Sequence, residues 1–204
     1  MAASDSVPGS YVTGRATRRE IIARAAEAFS QQGFHGASLR GIARSAGVDH
    51  STLIHHFGNK TKLLRAVLEW HDGHSMAAQP AIPKNPAELA DAFVEVARYN
   101  QTVPGLVQLH SMLSAEAAAE DHPARDYLKL RHQVLVDLLA NTIAAQRTAG
   151  ALTDDGRTPA QHAILIIATW DGLQLYESLH PGEIDVPALL GDTLRGAFGL
   201  PVQG

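Results

Sequence analysis

Hydrophobic and polar positions recur at three- and four-residue steps along nearly the whole chain, which is the period of an amphipathic helix. The pattern predicts helices over Ala16–Gln32, Ser38–Ala46 and His50–Phe57, and a fourth from Asn59 to about Gly73. It predicts five more over Glu88–Val103, Leu106–Ala119, Pro123–Ala149, Pro159–Leu179 and Pro187–Phe198. Proline and glycine supply the punctuation: Pro104-Gly105, Gly150 and Pro181-Gly182 end or separate helices, and the three prolines of Gln79–Pro86 mark a linker or a tight crossing. No stretch alternates with the strand period, so the expected fold class is all-α. Met1–Gly14, rich in Ser, Gly and Ala, is expected to be a disordered arm.

Two apolar patterns carry more than helix content. The long helix closed by Gly150 is expected to bury the stripe Tyr127, Leu130, Val134, Leu138 and Ile143. In Pro159–Leu179, by contrast, Ile164, Leu165, Ile166, Ile167, Ala168, Trp170, Leu173 and Leu175 fall on every side. A helix that is apolar all round must be buried all round. That predicts one face on the chain's own core and another on a second copy, in a two-fold dimer built as a four-helix bundle. The expected interface is Ile166, Trp170 and Leu173, with Leu190, Leu194 and Phe198 from the last helix.

The stretch Ser38–Phe57, SLRGIARSAGVDHSTLIHHF, reads as two short helices about a tight turn. Ser38 is placed to cap the first helix, whose apolar face is Leu39, Ile42, Ala43 and Ala46. Gly47 supplies the positive φ of a sharp turn, and Val48 plugs it. Asp49 or Ser51 can cap the second helix, which buries Leu53 and Phe57 and turns His50, Ser51, Thr52, His55 and His56 outward. This is the pattern of a helix-turn-helix, a device that sets one helix in the DNA major groove.

Charge strengthens that reading once it is divided along the chain. The 204 residues carry 17 Lys+Arg and 21 Asp+Glu, a net charge of -4. Residues 1–65 hold nine basic and four acidic side chains, a surplus of five positive charges; residues 66–204 hold eight basic and seventeen acidic, a deficit of nine. A local basic surface is what phosphate contacts need. There is no Cys, hence no disulfide framework and no thiolate metal site. No apolar run reaches a membrane span and no secretory signal is recognisable, so no membrane partner is expected and the expected location is cytoplasmic.

Thr17–Leu68 resembles the DNA-binding domain of the TetR family of bacterial transcriptional regulators. The matching residues are Ile21, Ile22, Ala25 and Phe29, the Gly33-Phe34 turn, Ser38 with Ile42-Ala43, Ala46-Gly47-Val48, His56-Phe57, Lys60 and Leu63-Leu64. The family often has Lys-Gly where this chain has His50-Ser51, and Tyr where it has Ile54. The run Leu53-Ile54-His55-His56-Phe57 looks like the ending of one subset. Farther on, His122-Pro123 and Trp170-Asp171-Gly172-Leu173-Gln174 resemble the effector domain of a branch related to betaine-type repressors.

The resemblance implies residues 15–65 as the DNA-binding domain and 66–204 as a ligand-binding and dimerisation domain. Expected DNA contacts are Arg15, Arg18, Ser38, Arg40, His55 and Lys60 near phosphates, with His50, Ser51 and Thr52 near base edges; His56, beside Phe57, reads either as a further contact or as packing. Tyr99, Gln108, His110, Trp170, Gln174 and Tyr176 are polar groups on otherwise apolar faces and are the candidates for an effector pocket. His71 and His74 read as surface histidines, no metal site or cofactor is expected, and no catalytic motif is present. The expected function is a dimeric, ligand-responsive regulator, most simply a repressor, with a double-stranded palindromic operator and an unknown small-molecule effector as partners. The alternative is an all-α small-molecule binder or enzyme that has kept a degenerate DNA-binding head.

Overall fold

Apolar rows at helical spacing fold into nine helices among the described residues, 9–77 and 83–201 of a computed structural model. They are α1 (Gly9–Gly36), α2 (Leu39–Ser45), α3 (His50–Phe57), α4 (Lys60–Ala77), α5 (Pro86–Gln101), α6 (Pro104–Glu116), α7 (Arg125–Thr148), α8 (Pro159–Leu179) and α9 (Val186–Ala197). The chain divides into two compact units, Met1–Trp70 and His71–Gly204, and α4 runs from the first into the second. The first helix starts at Gly9, so residues 9–14 are helical where a disordered arm was expected; residues 1–8 of that arm, and 79–82 of the expected linker, lie outside the described residues. No helix among the described residues is long and apolar enough to cross a membrane.

The first unit is a small helical core closed by its turns. Ile21, Ile22, Phe29, Ile42, Leu53, Leu63 and Leu64 are fully buried. Truncating one such side chain to Ala typically costs about 2 to 5 kcal/mol. Glycine breaks the first helix at Gly33 (φ 68°), where Phe34 folds back against Phe29 with ring centroids 6.0 Å apart.

In the second unit the core is contributed by four helices: Leu89, Phe93 and Val96 of α5, Leu139 and Ile143 of α7, Ile166, Ile167 and Trp170 of α8, and Leu190 and Leu194 of α9 with Phe198 just beyond it. Phe93 meets Trp170 edge-on at 5.4 Å, a favoured aromatic geometry. Helix starts are firmly marked. Thr158 and Gln161 form a reciprocal capping box on α8, Asn85 caps α5 through Glu88 N–H at 2.9 Å, and Pro occupies the first turn of both.

Two apolar readings are corrected. On α7 the buried residues are Leu128, Leu139 and Ile143, whereas Leu130, Val134 and Leu138 are 66%, 58% and 43% exposed. The helix carries two apolar rows: of the expected stripe Ile143 is buried, in line with Leu128 and Leu139, and Leu130, Val134 and Leu138 form the outer row. On α8 and α9, the residues expected at a dimer interface are committed within one chain: Ile166, Trp170, Leu190, Leu194 and Phe198 are buried in its core and Leu173 packs against them. The outward apolar side chains of these helices are Ile164, Leu165, Leu175, Tyr176, Leu179 and Leu189.

His71 is a third correction. It is 7% exposed rather than a surface residue, and its ring lies 6.3 Å from that of Tyr99. The side chain of His74 lies outside the described residues. Beside His71, Asp72 accepts a 2.5 Å hydrogen bond from the Tyr127 hydroxyl and both of its oxygens receive Arg131 Nε at 3.2 Å. Burial works against its charge, but the His71 bond, the Arg131 charge and the Tyr127 bond outweigh burial and hold the carboxyl below the usual range.

His110 is buried in the same unit. Burial, reinforced by the Arg131 charge and only partly opposed by Asp72, pushes its imidazole down from 6.5 to about 3. The unfolded chain therefore binds a proton near pH 6.5 that the folded chain refuses until about pH 3. Stability is fully present above the unfolded value and falls as the pH drops below it. Between pH 6.5 and 5 this group should cost the native state on the order of 1 to 2 kcal/mol. Urea unfolding should show a shallower acid-side loss for His110→Gln than for the wild type; identical pH slopes would contradict the assignment.

Candidate nucleic-acid interface and effector pocket

The geometry of α2, its turn and α3 follows from local chemistry. Ser38 Oγ accepts Gly41 N–H at 3.0 Å, capping α2. At the other end Val48 N–H bonds to Ala43 O at 3.0 Å and Gly47 N–H to Arg44 O at 3.2 Å, with Gly47 at φ 66°. That pair of bonds is a Schellman closure, and its left-handed residue costs a β-carbon about 1 to 2 kcal/mol. Asp49 occupies the cap position of α3, yet its side chain makes no capping bond.

Helix α3 buries Leu53 and Phe57 and leaves His50, Ser51 and His55 exposed, with Thr52, Ile54 and His56 half-buried. The outer face is thus short, polar and rich in imidazole. Arg15, Arg18, Arg40 and Arg44 are exposed in the same unit. Three expected contact residues also have internal work. Arg18 sets its guanidinium 5.1 Å above the Phe57 ring. Ser38 spends its hydroxyl on the α2 cap. Lys60 lies 4.8 Å over the Phe34 ring and donates to His35 O at 3.2 Å, with burial lowering its pKa. The ammonium therefore ties the start of α4 to the last turn of α1, beyond the break at Gly33. His56 lies between the rings of His55 and Phe57, at 5.8 and 6.1 Å.

The second unit holds two adjoining cavities between α5, α6, α7 and α8. The outer one has a volume of about 180 Å3 and includes Ala97, Pro104, Gln108, Glu177 and Val186 in its lining. The inner one has room for about 10 Å3, roughly one water, and is lined in part by His71, His110, Arg131 and Asp171. Asn100, Val107, Trp170 and Gln174 belong to both linings. Asn100 Nδ2 donates to Gln174 Oε1 at 3.0 Å, joining α5 to α8.

Of the polar residues singled out in the sequence, His110, Trp170, Gln174 and Gln108 line these cavities. Tyr99 stands beside His71 and is outside both linings, while Tyr176 stacks on His180 at 4.5 Å on the exposed side of α8. Sequence reasoning missed His71, Asn100, Arg131, Asp171 and Glu177. Asn100 had a readable signal: it continues the buried row Leu89, Phe93, Val96 with a polar side chain. His122, 8% exposed, accepts Ala124 N–H on Nδ1 at 3.3 Å and so shapes the approach to α7. No group of three or more metal-ligating side chains converges among the described residues.

Comparison with known proteins agrees with this geometry. The profile of the family described as "Bacterial regulatory proteins, tetR family" matches residues 21–67. The HTH-type transcriptional regulator RutR of Escherichia coli K12 is 32% identical over 181 residues, covering 88% of this chain and 81% of the relative. The HTH-type transcriptional regulator UidR of the same organism is 27% identical over 155 residues, 76% of this chain and 78% of its own. Among solved structures, NalD of Pseudomonas aeruginosa, described as the secondary repressor of the MexAB-OprM multidrug efflux pump, shares the fold with a TM-score of 0.67. Its sequence is 22% identical, covering 90% of this chain and 94% of NalD. The relatives are named as transcriptional regulators, not enzymes, and with described residues that form helices and loops and a family match to the DNA-binding domain within the first unit, the protein belongs to the TetR family of bacterial transcriptional regulators.

Proposed function

We propose that this regulator is a repressor that binds a palindromic operator as a homodimer and is released by a small-molecule effector. The observation that carries the reading is the outer face of α3, where His50, Ser51 and His55 stand exposed at the end of a rigidly closed turn. His50, Ser51 and Thr52 reach base edges from the first turn of that helix, and Arg15, Arg18, Arg40 and His55 supply phosphate contacts. Lys60, Ser38 and His56 act chiefly by holding that surface in shape. Repression is supported by NalD, a repressor of the same fold. Within the family, the His122-Pro123 and Trp170–Gln174 runs support a betaine-repressor-like C-terminal domain. The cytoplasm is where such a protein meets its operator.

Dimerisation is supported by the outward face of α8. Ile164, Leu165, Leu175 and Leu179 are more than half exposed on a helix whose opposite face is already in the core. A second copy of the same face would remove them from water at about 25 cal/mol per Å2. Two identical heads then match two half-sites. The effector acts from the cavities at α5–α8, and it releases DNA only through a difference in its affinity for the two states.

Two measurements follow. Fluorescence anisotropy on the protein's own upstream DNA should show selective, salt-sensitive binding, with Arg40→Ala lowering affinity at low salt and reducing the salt slope by about one. An unchanged slope would take Arg40 off the phosphate backbone, and no selective binding at any salt would favour the degenerate-head alternative. Sedimentation equilibrium should give a dimer for the wild type and a monomer for Leu165→Glu/Leu175→Glu with unchanged helix content; a double variant that stays dimeric would move the interface elsewhere.

A further inference from the structure

The two cavities of the second unit carry a set of polar atoms that the chain itself leaves unanswered. Among the described residues, His71 Nε2, Asn100 Oδ1, His110 Nε2 and Trp170 Nε1 are buried with no hydrogen-bond partner, and all four residues line the inner cavity. In the outer cavity Glu177 takes Gly182 N–H on Oε1 at 2.9 Å, while its Oε2 is buried without a partner. A buried polar group left without a partner has lost its water and gained nothing in return. Five around one connected site amount to a demand for a guest, and a single water in the inner cavity can meet it only in part.

The charges restrict what the guest can be. Arg131 is the cation of the inner cavity, and its Nε is already engaged by Asp72. Asp171 also lines that cavity, and Glu177 lines the outer one. An anion placed here would face the two carboxylates Asp171 and Glu177, while the one cation of the lining, Arg131, already shares its charge with Asp72. A group that donates hydrogen bonds would gain Glu177 Oε2 and Asn100 Oδ1 as acceptors. The remaining wall of the outer cavity, including Ala97, Pro104, Val107 and Val186, suits an apolar body, and a volume of about 180 Å3 calls for a small one.

Building on the effector reading above, we propose that the second unit binds a small amphipathic molecule with no negative charge, its apolar body in the outer cavity and a hydrogen-bond-donating head on Glu177 Oε2 and Asn100 Oδ1, and that the Asn100–Gln174 hydrogen bond is the gate between the two cavities. Both gate residues line both cavities, so parting them opens a path for the head toward His71 and His110, which line the inner cavity alone.

Four probes of one shape test the chemistry on the full-length protein: benzyl alcohol, benzylamine, benzoate and toluene, at millimolar concentration. Benzyl alcohol and benzylamine should raise the melting temperature in a dose-dependent way, and benzoate and toluene should not. Glu177→Gln should weaken benzylamine at least fivefold and leave benzyl alcohol within about twofold. Binding of benzoate as strong as that of benzyl alcohol would overturn the assignment, as would no response to any probe, which would leave water only as the guest. Parallel mobility shifts keep this separate from the effector reading. Alcohol or amine binding without loss of DNA binding sustains the ligand class and sinks the effector role; release by benzoate does the reverse. For the gate, Trp170 is read alone in a Trp70→Phe background, since the chain has two tryptophans. Gln174→Ala should at least double acrylamide quenching of Trp170, and unchanged quenching would remove the gate.

Discussion

Helix α8 must satisfy apolar side chains on all of its faces at once, and most of the second unit answers to that constraint. Ala163, Ile166, Ile167 and Trp170 go inward, where they meet α5, α7 and α9 in one core. Ile164, Leu165, Leu175, Tyr176 and Leu179 are left on the other side. The same inward face that anchors the core through Trp170 and Phe93 also carries Gln174 into the cavity wall. Core and cavity wall therefore share one face of the helix and the proposed contact with a second copy takes the opposite one, so a small rotation of α8 would be felt by all three.

The helix-turn-helix was legible because its determinants are local. A serine cap, a glycine at positive φ and apolar residues at fixed steps lie within twenty residues, and α3 spans His50–Phe57 as its pattern predicts. The second unit was legible in its helices but less so in their faces. Helix α7 offers two apolar rows, and only its neighbours decide that Leu128, Leu139 and Ile143 go inside while Leu130, Val134 and Leu138 stay out. The same ambiguity misassigned the outward residues of α8 and α9. The cavity brings together His71, Asn100, Arg131 and Trp170 from α4, α5, α7 and α8, and no local spacing encodes that meeting.

The polar groups of the two units play opposite parts. In the first, Arg18 and Lys60 are partly drawn inward over aromatic rings, which stiffens the frame behind α3. That frame lets short side chains such as Ser51 and Thr52 present a defined surface. In the second, Asp72 gathers Tyr127 and Arg131 into a well-satisfied cluster, while the neighbouring cavity keeps its polar atoms unpaired. Satisfied groups hold the architecture, and unsatisfied ones are poised for something from outside.

Presentation of two identical α3 heads to DNA is what the proposed dimer requires. Hydroxyl-radical footprinting of the full-length protein on its own upstream region tests it most directly. The account predicts two protected patches related by a two-fold axis, with centres about one helical turn apart or a multiple of it. A single protected patch, or protection that does not depend on sequence, would contradict it.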